Sequence, residues 1–260
     1  GGDIVLDTEG ALTKVVGDTT PHVRLVYANE TLSISIVVEP IANRSVAVYE
    51  PGIGRPQRLI QLRGGRTVLL VRDLAAEETA AAAVRVTLES FDAWARAKNR
   101  WLISDAEASL EALRTLKALG GIRLEWPEGE KVRVTTPKAG GGQIEASGED
   151  WFEVGGNVTL DDGRVLKLVE LLRALANREG NFVRFGENDF LYLSSELLRR
   201  LDALAVATDV KASNDEANAG LSAAALPMLA KAFDVGEEGS DDLPMLPTSV
   251  ASRVEKIQQA

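Results

Sequence analysis

The sequence feature that most constrains the fold is a strict alternation of apolar and small polar residues over positions 31–38 (TLSISIVV). In an extended chain, Leu32, Ile34, Ile36 and Val38 lie on one face and the threonine and serines on the other. This period of two is typical of a strand with one buried face. Similar short runs at 22–27, 45–49, 58–62 and 67–71 are separated by turn residues. The pattern predicts an antiparallel β-sheet.

Two helices are predicted after this sheet. Asp73 is a suitable N-cap for the first, and Val84, Leu88, Phe91 and Ala95 share one face of it. The second begins with the capping box at 104–107 (SDAE), in which Ser104 is the expected cap, and stops at the glycine pair 120–121.

The second half of the chain has its own pattern of short strands and helices. Strands are predicted at 122–126, 131–135, 151–154, 157–160, 182–185 and 190–193, with a flexible loop at 137–142. The strands at 151–154 and 157–160 are expected to pair across Gly155 and Gly156. Helices are predicted at 165–175 and 195–204; they share a leucine-rich pattern 26 residues apart, which indicates a ββα duplication. Further helices are predicted near 222–234 and 249–258.

The predicted fold class is therefore α+β. It comprises an N-terminal antiparallel β-sheet followed by helices, then a ββα-type repeated α+β region, and C-terminal helices. The predicted domains are 1–103, a β-rich domain with a closing helix; 104–210, an α+β domain; and 211–260, an acidic loop with C-terminal helices.

Charge is distributed unevenly along the chain. The formal net charge of −10 belongs mostly to residues 121–260, and residues 209–242 alone carry eight acids against two lysines. Residues 51–72 carry five arginines and no acid: Arg55, Arg58, Arg63, Arg66 and Arg72. Because arginine matches phosphate oxygens, this arginine island predicts a nucleic-acid contact. The alternatives are a solvated face of the sheet, or contacts with acids of the second half.

The composition excludes several kinds of site. The absence of cysteine excludes disulfides, thiolate metal sites and cysteine catalysis, and a single histidine leaves little material for a catalytic triad or a zinc site. The sequence contains no GxxxxGK[ST] phosphate loop. We therefore predict no catalytic, cofactor-binding or metal-binding residues in this chain. No apolar run approaches 18 residues and no secretory signal is evident, so a cytoplasmic protein without membrane contact is expected.

Other residues of potential chemical interest have structural interpretations. The carboxylate pairs Glu77-Glu78 and Asp161-Asp162 occupy positions where a helix start or a turn favours an acid. His22 has no evident catalytic partner. The acidic run at 215–218 (DEAN) lacks the apolar strand that an ATPase acidic box requires. The tryptophans at 94, 101, 126 and 151 could stack on bases, but packing is the favoured role.

A longer set of residues resembles a known family, the bacterial Swi2/Snf2-family ATPases. The most specific pieces are tryptophan-containing runs that recur in the accessory region before the motor of these proteins, the SNF2 helicase-associated segment. The matching residues are 124–129 (LEWPEG), 151–154 (WFEV), Asp162-Gly163, Leu171-Leu172, 182–185 (FVRF), Leu193 and 196–198 (ELL). The runs Pro51-Gly52-x-Gly54 and Arg72-Asp73-Leu74-x-x-Glu77 also look like the N-terminal portion of that family, so the resemblance covers roughly residues 20–260.

The resemblance implies a non-catalytic accessory region of an ATP-dependent DNA translocase. In such proteins the motor follows this region, and ATP and magnesium are expected there rather than in this chain. The implied partner is the C-terminal ATPase motor of the parent protein, which the accessory region would regulate. Alternatives are a nucleic-acid-binding module that uses the arginine island on double-stranded DNA, and a protein-docking module toward RNA polymerase or another protein.

Overall fold

The computed structural model describes residues 4–5, 13–41, 47–62, 65–91, 94–128, 131–146, 151–208, 219–222 and 225. These residues form several β-sheets and four α-helices, so the α+β class is confirmed. The chain divides into two compact units, Gly1–Lys131 and Val132–Ala260. This division differs from the predicted boundary at residue 103, because the helix that follows that boundary packs on the sheet that precedes it.

The first unit contains nine strands and two helices among its described residues. They are β1 (Ile4–Val5), β2 (Thr13–Val16), β3 (Pro21–Ala28), β4 (Thr31–Val38), β5 (Gln57–Gln61), β6 (Thr67–Val71), α1 (Leu74–Glu89), β7 (Trp94–Ala97), β8 (Arg100–Ile103), α2 (Ala106–Ala118) and β9 (Arg123–Glu125).

The strands of the first unit form two sheets rather than the single antiparallel sheet predicted for residues 22–71. One sheet has the order β1-β2-β6-β5 and the other β7-β8-β4-β3-β9. Each contains one parallel pair, β2 with β6 and β3 with β9. The alternation of residues 31–38 correctly predicted the buried face of β4, but periodicity identifies a strand's faces and not its partner.

Helices α1 and α2 cover the five-stranded sheet. Ala81, Val84 and Leu88 of α1 are buried, as are the three leucines of α2, and both helices contact strands of this sheet. Asp73 caps α1 as predicted, but Asp105 rather than Ser104 caps α2, accepting from the backbone N–H of Ala108. The predicted face of α1 ran through Ala95, whereas the helix ends at Glu89 and residues 94–97 form β7.

The second unit contains eight strands and two helices among its described residues. They are β10 (Arg133–Thr135), β11 (Pro137–Ala146), β12 (Trp151–Leu160), β13 (Val165–Lys167), α3 (Leu168–Ala174), β14 (Arg178–Glu179), β15 (Phe182–Arg184), β16 (Asp189–Tyr192), α4 (Ser195–Ala207) and β17 (Ala219–Ser222); a single 3₁₀ turn, Leu175–Asn177, follows α3.

The second unit also has two sheets, β10-β16-β15-β14 and β11-β12-β13, with β17 pairing β12. The antiparallel pairs β12–β13 and β15–β16 precede α3 and α4 respectively. The second pair is the one that the ββα pattern predicted, whereas the first pair was predicted within residues 151–160. The two helices contact each other and contribute leucines to one core, which also includes Val154, Val183, Leu191 and Leu193.

Three predictions for the second unit were wrong. Residues 137–142 belong to strand β11, not to a loop, and residues 151–160 form one continuous strand rather than two that pair. Gly155 and Gly156 were predicted to form a turn, but they lie in the β11–β12 ladder, where Gly156 is opposite Gly142. Residues 165–167 form β13, so α3 begins at Leu168. Of the helix predicted near 222–234, only Ser222, which ends β17, and residue 225 are described. The helix predicted near 249–258 and nearly all of the acidic run 209–242 lie outside the described residues.

Candidate functional site

The structure divides the arginine island into exposed and buried members. Arg55, Arg58 and Arg66 are exposed, and none of them forms an ion pair with another described residue. Arg58 lies over the ring of Tyr49, 5.6 Å from its centroid. Arg63 lies outside the described residues. Arg72 is buried, so the predicted set of five contacts is reduced to at most four.

Arg72 forms a buried, two-pronged ion pair with Glu77 in the first turn of α1. Its Nε donates to one carboxylate oxygen at 2.9 Å and its Nη2 to the other at 2.6 Å, and both side chains are 1% exposed. Such fork-to-fork geometry is the strongest form of the arginine–carboxylate contact. Arg72 therefore has a structural partner and is not available to a phosphate. The pair also assigns a structural role to Glu77, which sequence analysis considered as half of a carboxylate pair.

The same ion pair holds the segment before β5. Arg72 donates to the backbone carbonyls of Glu50 and Ile53, and the backbone N–H of Gly52 donates to Glu77 at 3.1 Å. The Arg72 guanidinium also lies 4.3 Å from the centroid of the Tyr49 ring. These contacts, which we call the Arg72 clamp, fasten residues 49–53 to the start of α1. They bring together the two runs, 51–54 and 72–77, that carry the N-terminal part of the family resemblance.

Gly52 fits this clamp because it has no side chain. Its φ is +70°, a conformation that L-residues rarely adopt. A Cβ at this position would come within 2.9 Å of the Glu78 Cβ. The glycine thus allows residues 49–53 to approach α1 closely enough for the buried contacts to form.

Glu78 points to a different set of partners. Its carboxylate pairs with Arg85 and with Lys98, each at 2.8 Å. The hydrogen bond from Lys98 is the largest influence on the pKa of Glu78 and, with the charge of Arg85, it outweighs burial and lowers that pKa below its usual value. Glu77 and Glu78 therefore belong to separate sets of ion pairs. Their carboxylates do not face a shared site where a substrate could react.

A second polar cluster, which sequence analysis missed, surrounds His22. His22 is 3% exposed, and its Nδ1 lies 2.6 Å from Oε1 of Glu125 on β9. Arg24 donates to both Glu125 and Glu39, at 3.3 Å and 2.6 Å. The parallel pairing of β3 with β9 creates the cluster, because His22 is opposite Arg123 and Arg24 is opposite Glu125. No local signal in the sequence connects positions about a hundred residues apart.

The His22 cluster has the donor types of a metal site but the charge balance of an ion-pair network. Ligand atoms of His22, Glu39 and Glu125 lie within 4.8 Å of one another. The guanidinium of Arg24 already lies on both carboxylates, and Nη1 of Arg123 lies 3.4 Å from the remaining nitrogen of His22. A divalent cation would have to displace Arg24 and would meet a second guanidinium. We therefore interpret the cluster as a connection between β9 and the rest of its sheet.

The remaining candidates also have structural partners. Asp162 accepts from the backbone and side chain of Arg164, in the turn between β12 and β13. The backbone N–H of Asp161 donates to the carbonyl of Thr136. Trp101 is buried and Trp126 half-buried, in agreement with packing roles; the side chains of Trp94 and Trp151 lie outside the described set. The acidic run 215–218 lies outside it as well.

We expect the stability of the first unit to fall when the pH is lowered from about 5 to about 3, the region where carboxylates titrate. Burial acts to raise the pKa of Asp18, but hydrogen bonds from Thr20 and the charge of Arg123 outweigh it and lower that pKa. The pKa of Glu78 is also lowered. A carboxyl group whose pKa is lower in the folded state stabilises the fold above its unfolded pKa, and this contribution is lost as the pH falls.

Urea unfolding at a series of pH values measures this effect, and Asp18→Asn is the matched variant. The variant should show a shallower loss of stability with acid than the original chain. An identical pH dependence in the two proteins would show that Asp18 does not contribute to it.

No helix in the described part of the chain combines the length and the apolar character needed to cross a membrane. No protein-family model matches the chain, and comparisons with curated proteins and with solved structures gave no significant match.

Proposed function

We propose that this chain is a non-catalytic accessory region of a bacterial Snf2-type ATP-dependent DNA translocase, where it regulates the motor or docks a partner protein. The observation that carries the proposal is where the residues of the resemblance lie in the second unit. They occur along β12, in the turn after it, in α3, in β15 and at the start of α4. These runs therefore fall in one compact unit, whereas the run 124–129 lies in the first unit, at the end of β9 and after it.

Several of these residues form a single core. Val154, Leu171, Leu172, Val183 and Leu193 are each at most 3% exposed and belong to the same cluster of buried side chains. The resembling runs thus contribute buried side chains to one α+β core. That makes the resemblance a statement about a folded module, which supports the family assignment more strongly than isolated leucine patterns would.

The first unit supports the same proposal through the Arg72 clamp. The glycine run 51–54 and the run 72–77 are separated in sequence, yet the clamp joins them in one set of buried contacts. The two runs that resemble the N-terminal portion of the family therefore stabilise each other's conformation. This dependence is expected where a pattern belongs to one structural element.

The proposed role is non-catalytic because candidate acids for catalysis form ion pairs instead. Glu77, Glu78 and Asp162 each pair with an arginine, and His22 is buried against Glu125. The sequence contains no phosphate loop. In this proposal, ATP and magnesium bind to the motor of the parent protein.

The proposal predicts that the chain changes DNA-stimulated ATP hydrolysis by its parent motor. A regulatory contact with a coupling free energy of about 1 kcal/mol or more corresponds to a change of about fivefold. The measurement compares the motor alone, the motor with the 260-residue chain added, and the parent protein. The sequence that follows Ala260 in the parent gene should encode a phosphate loop. An unchanged rate together with no binding between chain and motor would contradict the proposal.

Direct nucleic-acid binding is a second candidate, supported by the exposure of Arg55, Arg58 and Arg66. With three phosphate contacts, the slope of log K against log salt for duplex DNA would be no steeper than about −3. This is a weaker electrostatic surface than five arginines would provide. The same surface also carries an open strand edge and an exposed leucine, which a phosphate backbone does not use.

A further inference from the structure

Strand β5 has an open edge in the described part of the chain. It is the last strand in the order β1-β2-β6-β5 and pairs there with β6 alone. The backbone N–H of Arg72 donates to the carbonyl of Pro56, and that of Leu62 donates to the carbonyl of Arg66. In an antiparallel ladder, alternate residues bond to the same neighbour. The even-numbered residues of β5 therefore bond to β6.

The odd-numbered residues of β5 consequently direct their backbone groups away from β6. Gln57, Leu59 and Gln61 present their N–H and C=O groups to the open edge, and all three side chains are exposed. Leu59 is 61% exposed, so its apolar side chain contacts solvent beside this edge. The edge thus offers a short row of donors and acceptors with an apolar side chain at its centre.

The surroundings of this edge are cationic. Arg58 lies on the strand, Arg55 precedes it and Arg66 is in the connection to β6; all three are exposed and form no ion pair with another described residue. No acidic residue occurs between positions 51 and 72. The charge of this surface is therefore uncompensated by its own sequence.

We propose that the β5 edge binds an extended acidic segment of a partner protein, which adds to the sheet as a further strand. Strand addition satisfies the outward N–H and C=O groups, and alternate side chains of the added segment can contact Leu59. Acidic residues on the segment would pair with Arg55, Arg58 and Arg66. The proposal rests on the β5 edge of the first unit and does not depend on the translocase assignment.

An acidic peptide fits this edge better than two other occupants. A duplex offers phosphate oxygens, which accept hydrogen bonds; the outward carbonyls of Gln57, Leu59 and Gln61 would face acceptors, and Leu59 would face charge. A second copy of this chain would bring one set of arginines against another, and like charges at a sheet edge oppose pairing. The acidic strand alone supplies both the donors and the opposite charge.

The test uses the complete 260-residue chain and fluorescence anisotropy with labelled probes. The principal probe is an extended peptide of alternating glutamate and valine. Its matched control is the same peptide N-methylated at alternate residues, which keeps the charge but cannot complete a β-ladder. A lysine–valine peptide and a duplex DNA complete the set of probes. We expect the glutamate–valine peptide to bind, more weakly as salt is added, and N-methylation to weaken binding by about tenfold or more.

Two kinds of variant locate the binding site. Leu59→Pro removes an outward N–H that does not take part in the β5–β6 ladder, and Leu59→Ala is its matched control. We expect the proline variant to bind at least about tenfold more weakly than the alanine variant. The triple variant Arg55→Glu, Arg58→Glu, Arg66→Glu changes exposed side chains alone; it should lose the acidic peptide and gain the lysine–valine peptide. Circular dichroism establishes that each variant is folded.

Three results would overturn the proposal. Equal binding of the methylated and unmethylated peptides would show that no strand is added. Binding of duplex DNA in preference to the peptide, unaffected by Leu59→Pro, would assign the arginines to nucleic acid. Absence of peptide binding even at low salt would leave the arginines with the role of preventing edge-to-edge association. If Leu59→Pro fails to fold, the methylated probe and the triple variant decide the question.

Discussion

Replacing Glu77 with alanine is expected to lower the free energy of unfolding of the first unit by about 3–5 kcal/mol, the cost of leaving one member of a buried ion pair without its partner. The guanidinium of Arg72 would remain 1% exposed with no carboxylate to receive its two charged hydrogen bonds. The backbone N–H of Gly52 would lose its acceptor as well. The loss should therefore include the ordering of residues 49–53, not the ion pair alone.

Urea unfolding followed by circular dichroism measures this loss, with Glu89→Ala as the control. Glu89 lies in the last turn of the same helix and is exposed, so its removal should change the stability by no more than about 0.5 kcal/mol. Hydrogen exchange at residues 49–53 should accelerate in Glu77→Ala and stay unchanged in Glu89→Ala. A loss below about 1 kcal/mol for Glu77→Ala would mean that the Arg72 clamp does not hold this segment.

Replacing Phe182 with alanine is expected to destabilise the second unit by about 3–5 kcal/mol, the usual cost of emptying a buried phenylalanine site. Phe182 is 1% exposed, and its ring centroid lies 5.4 Å from that of Tyr192 on the paired strand β16. Phe182 is one of the resembling residues and lies on the face of β15 opposite Val183, so this variant tests a buried position outside the cluster that contains Val183.

The matched control for Phe182 is Val165→Ala on β13, where the side chain is 62% exposed. Urea unfolding of both variants, with hydrogen exchange of the β15–β16 region as the local measurement, separates core loss from general truncation. Protection of β15 and β16 should fall in Phe182→Ala and persist in Val165→Ala. Equal stability of the two variants would contradict the assigned core position.

Local structure was the part of the fold that the sequence predicted well. The alternation that ends at Val38 and the cap at Asp73 depend on neighbouring residues, so a reading along the chain captures them. Partner choice was not predictable in this way. Nothing near His22 indicates that residues around 123 will pair beside it, and nothing in the glycines of 140–142 distinguishes a loop from a strand that faces another glycine-containing strand.

The outcome for the arginine island shows the same distinction at the level of single residues. Arg72 continues the buried face of β6 after Val68 and Leu70, at the period of two that marks an inward position. That signal was present in the sequence and would have separated Arg72 from its exposed neighbours. Glu77 offsets the cost of burying the Arg72 charge. This partner could be identified only from the structure, which shows that the end of β6 lies beside the start of α1.

The pairing of β3 with β9 also constrains the order in which the first unit can be made. Strand β3 is complete at Ala28, but its parallel neighbour is supplied by Arg123–Glu125, near the end of the unit. A closing contact of such high sequence separation has a large loop-closure cost and is typical of slow folding. During synthesis, β9 can pair with β3 only after almost the whole unit has left the ribosome. Until then, the edge of β3 that pairs with β9 stays exposed. A chain cut at residue 103 would keep that edge permanently open and would lack α2, and we therefore place the shortest self-sufficient N-terminal piece beyond Glu125.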